Sequence, residues 1–182
     1  MTIEKTAIKD LVIVTPAVHE DSRGYFFEAY NKSKLSVLGI DIDFVQDNQS
    51  FSNKGTLRGL HYQNPPFAQT KLIRVLEGEI IDVAVDLRKD SPTYGKHFSI
   101  LLSAKNKNQL LVPQGFAHGF SVISETAVVL YKCDQYYNKT SEGGIKYDDA
   151  TLNIDWGMDL REAIVSDKDL ILPDLANCNS QF

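Results

Sequence analysis

Cysteine is scarce in this chain, and the two present, Cys133 and Cys178, form neither a disulfide framework nor a metal-binding spacing. Reduced thiols in the cytoplasm are the expectation. Long apolar runs are missing too. The opening residues, MTIEKTAIKD, are broken up by charges, which reads against both a signal peptide and a membrane span. Positive charge is in deficit, with 19 Lys and Arg against 24 Asp and Glu. The resulting net charge of -5 argues against a nucleic-acid partner held by bulk electrostatics. Low-complexity segments and internal repeats are absent. What remains is 182 residues, 43% of them hydrophobic, enough for a single domain spanning 1–182 with a sizeable core.

The order of the chain reads as β. Leu11 to Val14 is a short apolar strand closed by Pro16. Asp21-Ser22-Arg23-Gly24 is a turn signal running into the aromatic strand Tyr25-Phe26-Phe27-Glu28. Asn31 to Leu38 fits a short helix with Gly39 as its stop. Phe44 to Ser50 is a strand unusually rich in amides, with Gln46 and Asn48 on one face. Lys71 to Leu76, Ile80 to Leu87, Phe98 to Leu102, Gln109 to Val112 and Ala127 to Cys133 follow as strands. The clearest alternation sets Ile81, Val83, Val85 and Leu87 against Asp82, Ala84, Asp86 and Arg88. Many short strands with little helix predict an all-β sandwich or barrel. The last quarter weakens to loops and short helical turns, with Ser166 and Asp169 spaced as a helix cap.

Two stretches carry chemistry. Leu57-Arg58-Gly59-Leu60-His61-Tyr62-Gln63 places a permanent cation beside a histidine that titrates near neutrality, a pair suited to anion binding and proton transfer. Taken alone, His61 reads sooner as a hydrogen-bonded core histidine and Arg58 as a surface charge. The second stretch, Val112-Pro113-Gln114-Gly115-Phe116-Ala117-His118-Gly119-Phe120, changes that. Together they resemble the two motifs of a cupin, which implies a jelly roll (a double-stranded β-helix) with a few short peripheral helices. In metal-binding cupins two further ligands would stand where this chain has Gln63 and Lys71. A divalent cation prefers imidazole and carboxylate ligands, and an ammonium repels it, so no metal is expected. A cation beside a histidine base instead suits proton abstraction next to a carbonyl, with the enolate oxygen stabilised electrostatically.

Asp21-x-Arg23-Gly24, Phe27-Glu28, Phe44-Val45-Gln46-Asp47-Asn48, Leu57 to Gln63, Lys71-Leu72, Val112 to Phe120, Tyr131-Lys132, Asp155-Trp156 and Ser166-x-Lys168-Asp169 jointly resemble the dTDP-4-dehydrorhamnose 3,5-epimerase family. The resemblance implies epimerisation of dTDP-4-dehydro-6-deoxy-D-glucose at C3 and C5, without metal or cofactor, by a cytoplasmic homodimer that exchanges N-terminal strands. It also implies a place in dTDP-L-rhamnose synthesis for surface polysaccharide, and no nucleic-acid or membrane partner. His61 matches the general base, oriented by Asp169. Tyr131 matches the residue returning a proton from the opposite face of the sugar, and Lys71 the lysine near the C4 carbonyl oxygen. Arg23, Glu28, Gln46, Asn48, Arg58, His118, Glu142 and Lys168 match positions that hold nucleotide and sugar, with Phe26 and Tyr137 as candidates to stack on thymine. The loop around Glu142 departs from the family's usual run. An epimerase acting at C3 or C5 alone, a metal-dependent oxygenase and a silent sugar-nucleotide binder are the rivals. One difficulty is geometric: in a regular strand Arg58 and His61 point to opposite faces, and a bulge at Gly59 would reconcile them.

Overall fold

The computed structural model describes all residues from Met1 to Phe182. In chain order its strands are β1 (Thr2–Lys5), β2 (Val12–Thr15), β3 (His19–Asp21), β4 (Gly24–Phe26), β5 (Gln46–Asn53), β6 (Leu57–Gln63) and β7 (Lys71–Glu77). Then come β8 (Glu79–Asp86), β9 (His97–Ser103), β10 (Gln109–Val112), β11 (Phe116–Val122), β12 (Thr126–Cys133) and β13 (Glu142–Gly144). Two short α-helices are present, α1 (Lys32–Val37) and α2 (Asp167–Leu170). None is long and apolar enough to cross a membrane.

The strands form a six-stranded sheet, ordered β1-β2-β10-β7-β12-β5, and a five-stranded sheet, ordered β13-β6-β11-β8-β9. β3 and β4 pair only with each other. Apart from one isolated bridge, all pairings are antiparallel. This is the all-β jelly roll that the strand pattern and the cupin motifs imply.

The period of two in each strand sorts side chains into layers. Ile73, Val75 and Val129 from the first sheet meet Ile80, Ala84, Phe116 and Phe120 from the second in a shared core. Each large apolar side chain buried there contributes roughly 1.5–3 kcal/mol. A second core covers the other face of the second sheet, where Leu60, Val83, Val85 and Leu87 pack under Ile145, Leu152 and Trp156 of the C-terminal segment. A third joins Val14, Leu72 and Leu111 to Leu35 of α1. That helix starts where Asn31 accepts a bond from the Lys34 N–H at 3.1 Å, and it ends before Gly39 at φ 89°.

β8 shows what alternation meant here. Its apolar positions lie under the C-terminal segment, whereas Asp82, Ala84 and Asp86 are also fully buried. With both faces covered, the polar set faces the interior instead of water. Toward one end of that interior the apolar filling gives way: the inward positions of β5, β6, β7, β8, β11 and β12 there are polar or ionisable.

Candidate active site

The bulge between β6 and β11 sets the site. His61 pairs with His118 and Arg58 with Phe120, so Gly59 and Leu60 together face Gly119. This irregularity turns Arg58 and His61 to the same face. Gly59 has φ 121°, and a Cβ there would lie 2.6 Å from the Gly119 Cα and 2.8 Å from the His118 carbonyl oxygen. Only glycine fits that approach.

His61 Nε2 is 2.6 Å from Asp169 Oδ1, and the other carboxylate oxygen accepts the Gly59 N–H at 3.3 Å. Asp169 is brought there by α2, whose cap forms as the Asp169 N–H donates to Ser166 Oγ at 3.2 Å. Burial pushes the Asp169 carboxyl up, but the His61 hydrogen bond and charge, with the Gly59 and Ser166 bonds, outweigh it and hold it below the usual carboxylate range. His118 mirrors this arrangement, its Nε2 lying 2.8 Å from Asp82 Oδ1.

The facing wall comes from β7 and β12. The Lys71 ammonium stands 6.0 Å from the centre of the Tyr131 ring. Lys71 keeps some surface open to the cavity, yet burial lowers its pKa from the ordinary lysine value, against the opposing pull of Cys133, Asp82 and Glu142. Burial likewise raises the Tyr131 phenol, helped by Cys133 and opposed by Arg58. Arg58 Nε donates to Ser52 Oγ at 3.1 Å, which aims the guanidinium along β5.

Arg58, His61, Lys71, His118, Tyr131, Lys168 and Asp169 all line one cavity of about 500 Å³, a volume in the range of small-molecule sites. Glu142 is one step removed: Lys168 donates to its Oε1 and Tyr137 Oη to its Oε2 at 3.0 Å. Burial raises the Glu142 carboxyl, and these two bonds with the Lys168 and His61 charges bring it below its ordinary value. Gln46 and Asn48 lie on the inward face of β5, where Gln46 Nε2 donates to Asn48 Oδ1 at 3.0 Å and Asn48 is paired in register with Tyr131.

Arg23 and Glu28 are not brought to this cavity. Arg23 is paired with Asp21 in the β3–β4 turn, and Glu28 with Lys34 and Asn31. Phe26 is on the same hairpin, 69% exposed. Gln63, which fills a ligand position of metal cupins, spends its amide on the backbone: it donates to Phe67 O at 2.6 Å and accepts from the Asn138 N–H at 2.7 Å. No group of three or more His, Cys, Asp or Glu side chains is placed to hold a metal. Sequence reasoning missed Asp82, Ser50 and Ser52; the one available signal was an acid in the middle of the most regular apolar strand, β8.

The arrangement can do acid–base chemistry on a bound anion. A carboxylate-held imidazole faces a phenol and an ammonium across a cavity whose mouth carries Arg58 and Lys168.

A sequence model of the family described as dTDP-4-dehydrorhamnose 3,5-epimerase matches residues 5–177. A protein of that name from Shigella flexneri is 48% identical over 171 residues, 93% of each chain. The crystal structure of a dTDP-4-dehydrorhamnose 3,5-epimerase from Elizabethkingia anophelis superposes with TM-score 0.94 at 52% identity, covering 97% of both chains. A dTDP-6-deoxy-D-glucose-3,5-epimerase from Legionella pneumophila, solved in complex with dTDP-4-keto-L-rhamnose, gives TM-score 0.92 at 45% identity, covering 97% of this chain and 93% of that one.

Proposed function

The chain belongs to the dTDP-4-dehydrorhamnose 3,5-epimerase family and is an isomerase, and we propose that it inverts C3 and C5 of dTDP-4-dehydro-6-deoxy-D-glucose to give dTDP-4-dehydro-L-rhamnose. The observation that carries this reading is the facing of two proton-transfer groups: the His61–Asp169 pair on the second sheet and Tyr131 on the first, lining one cavity. Inverting a carbon requires removal of a proton on one face and delivery on the other.

Because His61 Nε2–H donates to Asp169, the other ring nitrogen, Nδ1, is free to take a proton. It abstracts the proton from the carbon next to the C4 carbonyl. The C–H electron pair becomes the enolate double bond, and the carbonyl π pair moves onto O4. Lys71 stabilises that oxygen with a charge already in place. Tyr131 then delivers its phenol proton to the opposite face as the O4 pair re-forms the carbonyl; exchange with solvent takes the proton from His61 and restores one to Tyr131, and the sequence repeats at the second carbon. Arg58 clamps the diphosphate, with Gln46, Asn48, His118, Glu142 and Lys168 completing the hold on nucleotide and sugar, and Tyr137 at the rim under thymine. No step calls for a metal or dissociable cofactor.

The enzyme works as a single-domain cytoplasmic protein in dTDP-L-rhamnose synthesis, as a homodimer. The β3–β4 hairpin supports the dimer: it pairs only with itself, exposes Tyr25 and Phe26, and carries Arg23 and Glu28 away from this chain's own cavity. In the dimer the hairpin of each subunit reaches the cavity of the other.

Incubation with dTDP-4-dehydro-6-deoxyglucose in D2O tests the reaction. Deuterium is expected at both C3 and C5 by NMR, with the L-rhamno product. Label at only one carbon would reassign the protein to a single-carbon epimerase, and no label would remove the epimerase reading.

A further inference from the structure

One buried carboxylate has no part in the reaction as drawn. Asp82 is fully buried on the inward face of β8. Its Oδ1 meets His118, but its Oδ2 has no hydrogen-bond partner at all. An unpaired carboxylate oxygen taken out of water is costly unless something else compensates it.

Lys71 has the complementary defect. Its ammonium makes no hydrogen bond or ion pair within the chain; only burial and charges at a distance act on it. On β6, Arg58 is a cation and His61 is spent on Asp169. On α2, both oxygens of Asp169 are occupied by His61 and Gly59, and Lys168 is a cation. On β13, both oxygens of Glu142 are taken by Lys168 and Tyr137. On β12, Cys133 would act on Lys71 most strongly if ionised, but burial pushes its thiol pKa up, and the Tyr131 phenol is pushed up likewise. On β11, His118 is held by Asp82. Asp82 is therefore the one carboxylate facing this interior that keeps an uncommitted oxygen.

We propose that Asp82 is a positioning residue of this site: its buried negative charge balances the Lys71 ammonium across the interior, while its other oxygen fixes the ring of His118. The inference rests on the reading of Lys71 as the group that stabilises the enolate oxygen. Without a counter-charge, the desolvated lysine would lose its proton at a lower pH and with it the charge the enolate needs.

Asp82→Asn keeps the shape and a hydrogen-bonding partner for His118 while removing the charge. The direct measurement is substrate-free: titration of Lys71 by 13Cε NMR in lysine-labelled protein, with Lys71→Met assigning the signal. In Asp82→Asn the Lys71 midpoint is expected to fall by at least one pH unit, a tenfold change in the protonation equilibrium. The alkaline limb of the kcat–pH profile should move down with it, with activity recovering toward lower pH. An unmoved midpoint in folded Asp82→Asn overturns the proposal, whatever turnover does. If Asp82→Asn fails to fold, reciprocity supplies the test: Lys71→Met must raise the Asp82 13Cγ titration midpoint, and an unmoved carboxyl overturns the proposal equally. A shifted Lys71 midpoint in a protein that exchanges no deuterium into substrate would leave the charge pair standing and sink only the reaction assigned to the site.

Discussion

The two walls of the cavity are built on opposite principles. On the second sheet both histidines that line the cavity are held by a carboxylate, His61 by Asp169 at 2.6 Å and His118 by Asp82 at 2.8 Å. On the first sheet Lys71 and Tyr131 have no hydrogen-bond partner, and burial drives their pKa values in opposite directions, the ammonium down and the phenol up. A paired group is fixed in orientation; an unpaired desolvated group is held ready for a charge that appears only during reaction. The contrast fits the proposed division of work, in which the histidine wall starts the reaction and the Lys–Tyr wall receives what it produces.

The largest effect expected from that division is at His61. His61→Asn should abolish both epimerisation and deuterium exchange at C3 and C5, a loss of at least ~10²–10⁴ in rate, because no enolate forms without the base. Exchange persisting at the wild-type rate in His61→Asn would place the base on the other wall and reverse the comparison.

Lys71→Met comes next. An electrostatic donor of this kind contributes roughly 3–4 kcal/mol, or ~10²–10³ in kcat, with a much smaller change in KM. The sign of its pH dependence follows from the lowered pKa: the charge is present at low pH and lost as pH rises through a value below that of an ordinary lysine. Activity should therefore decline on the alkaline side earlier than 10.5, the ordinary lysine value. An unchanged kcat with weaker binding of dTDP would move Lys71 to a diphosphate-holding role and leave Tyr131 alone on its wall.

Most of the strands were legible from apolar runs bounded by turn residues, and the period of two survives cleanly in the burial of β5. The conflict between Arg58 and His61 was legible too, since a glycine between them signalled a bulge. Asp169 became legible only through resemblance: it reaches His61 across 108 residues of chain, on a four-residue helix that local propensity scarcely marks. Asp82 was read merely as the polar phase of an amphipathic strand, because alternation reports two faces but not whether the second meets water. Arg23 and Glu28 lie beyond what one chain's fold brings together. In the proposed dimer their place depends on a second copy, which a single sequence does not order in space.

The smallest effect on enolate formation, and the sharpest separation of the walls, is expected at Tyr131. If this phenol only returns a proton, Tyr131→Phe leaves His61, Asp169 and Lys71 intact, and the enolate still forms. With Lys71 held at O4 and no phenol left to protonate the carbon from that side, the proton comes back from His61, whose proton has meanwhile exchanged with solvent. In D2O the substrate should then gain deuterium at C3 while keeping its starting configuration, with little inverted product. The phenol's raised pKa agrees with this role, since a neutral donor is what a basic enolate carbon requires. Normal inversion in Tyr131→Phe would remove the tyrosine from the mechanism and leave the first sheet with Lys71 alone. Complete loss of exchange in folded Tyr131→Phe would mean instead that the phenol helps to form the enolate, so that both walls start the reaction and the division between them fails.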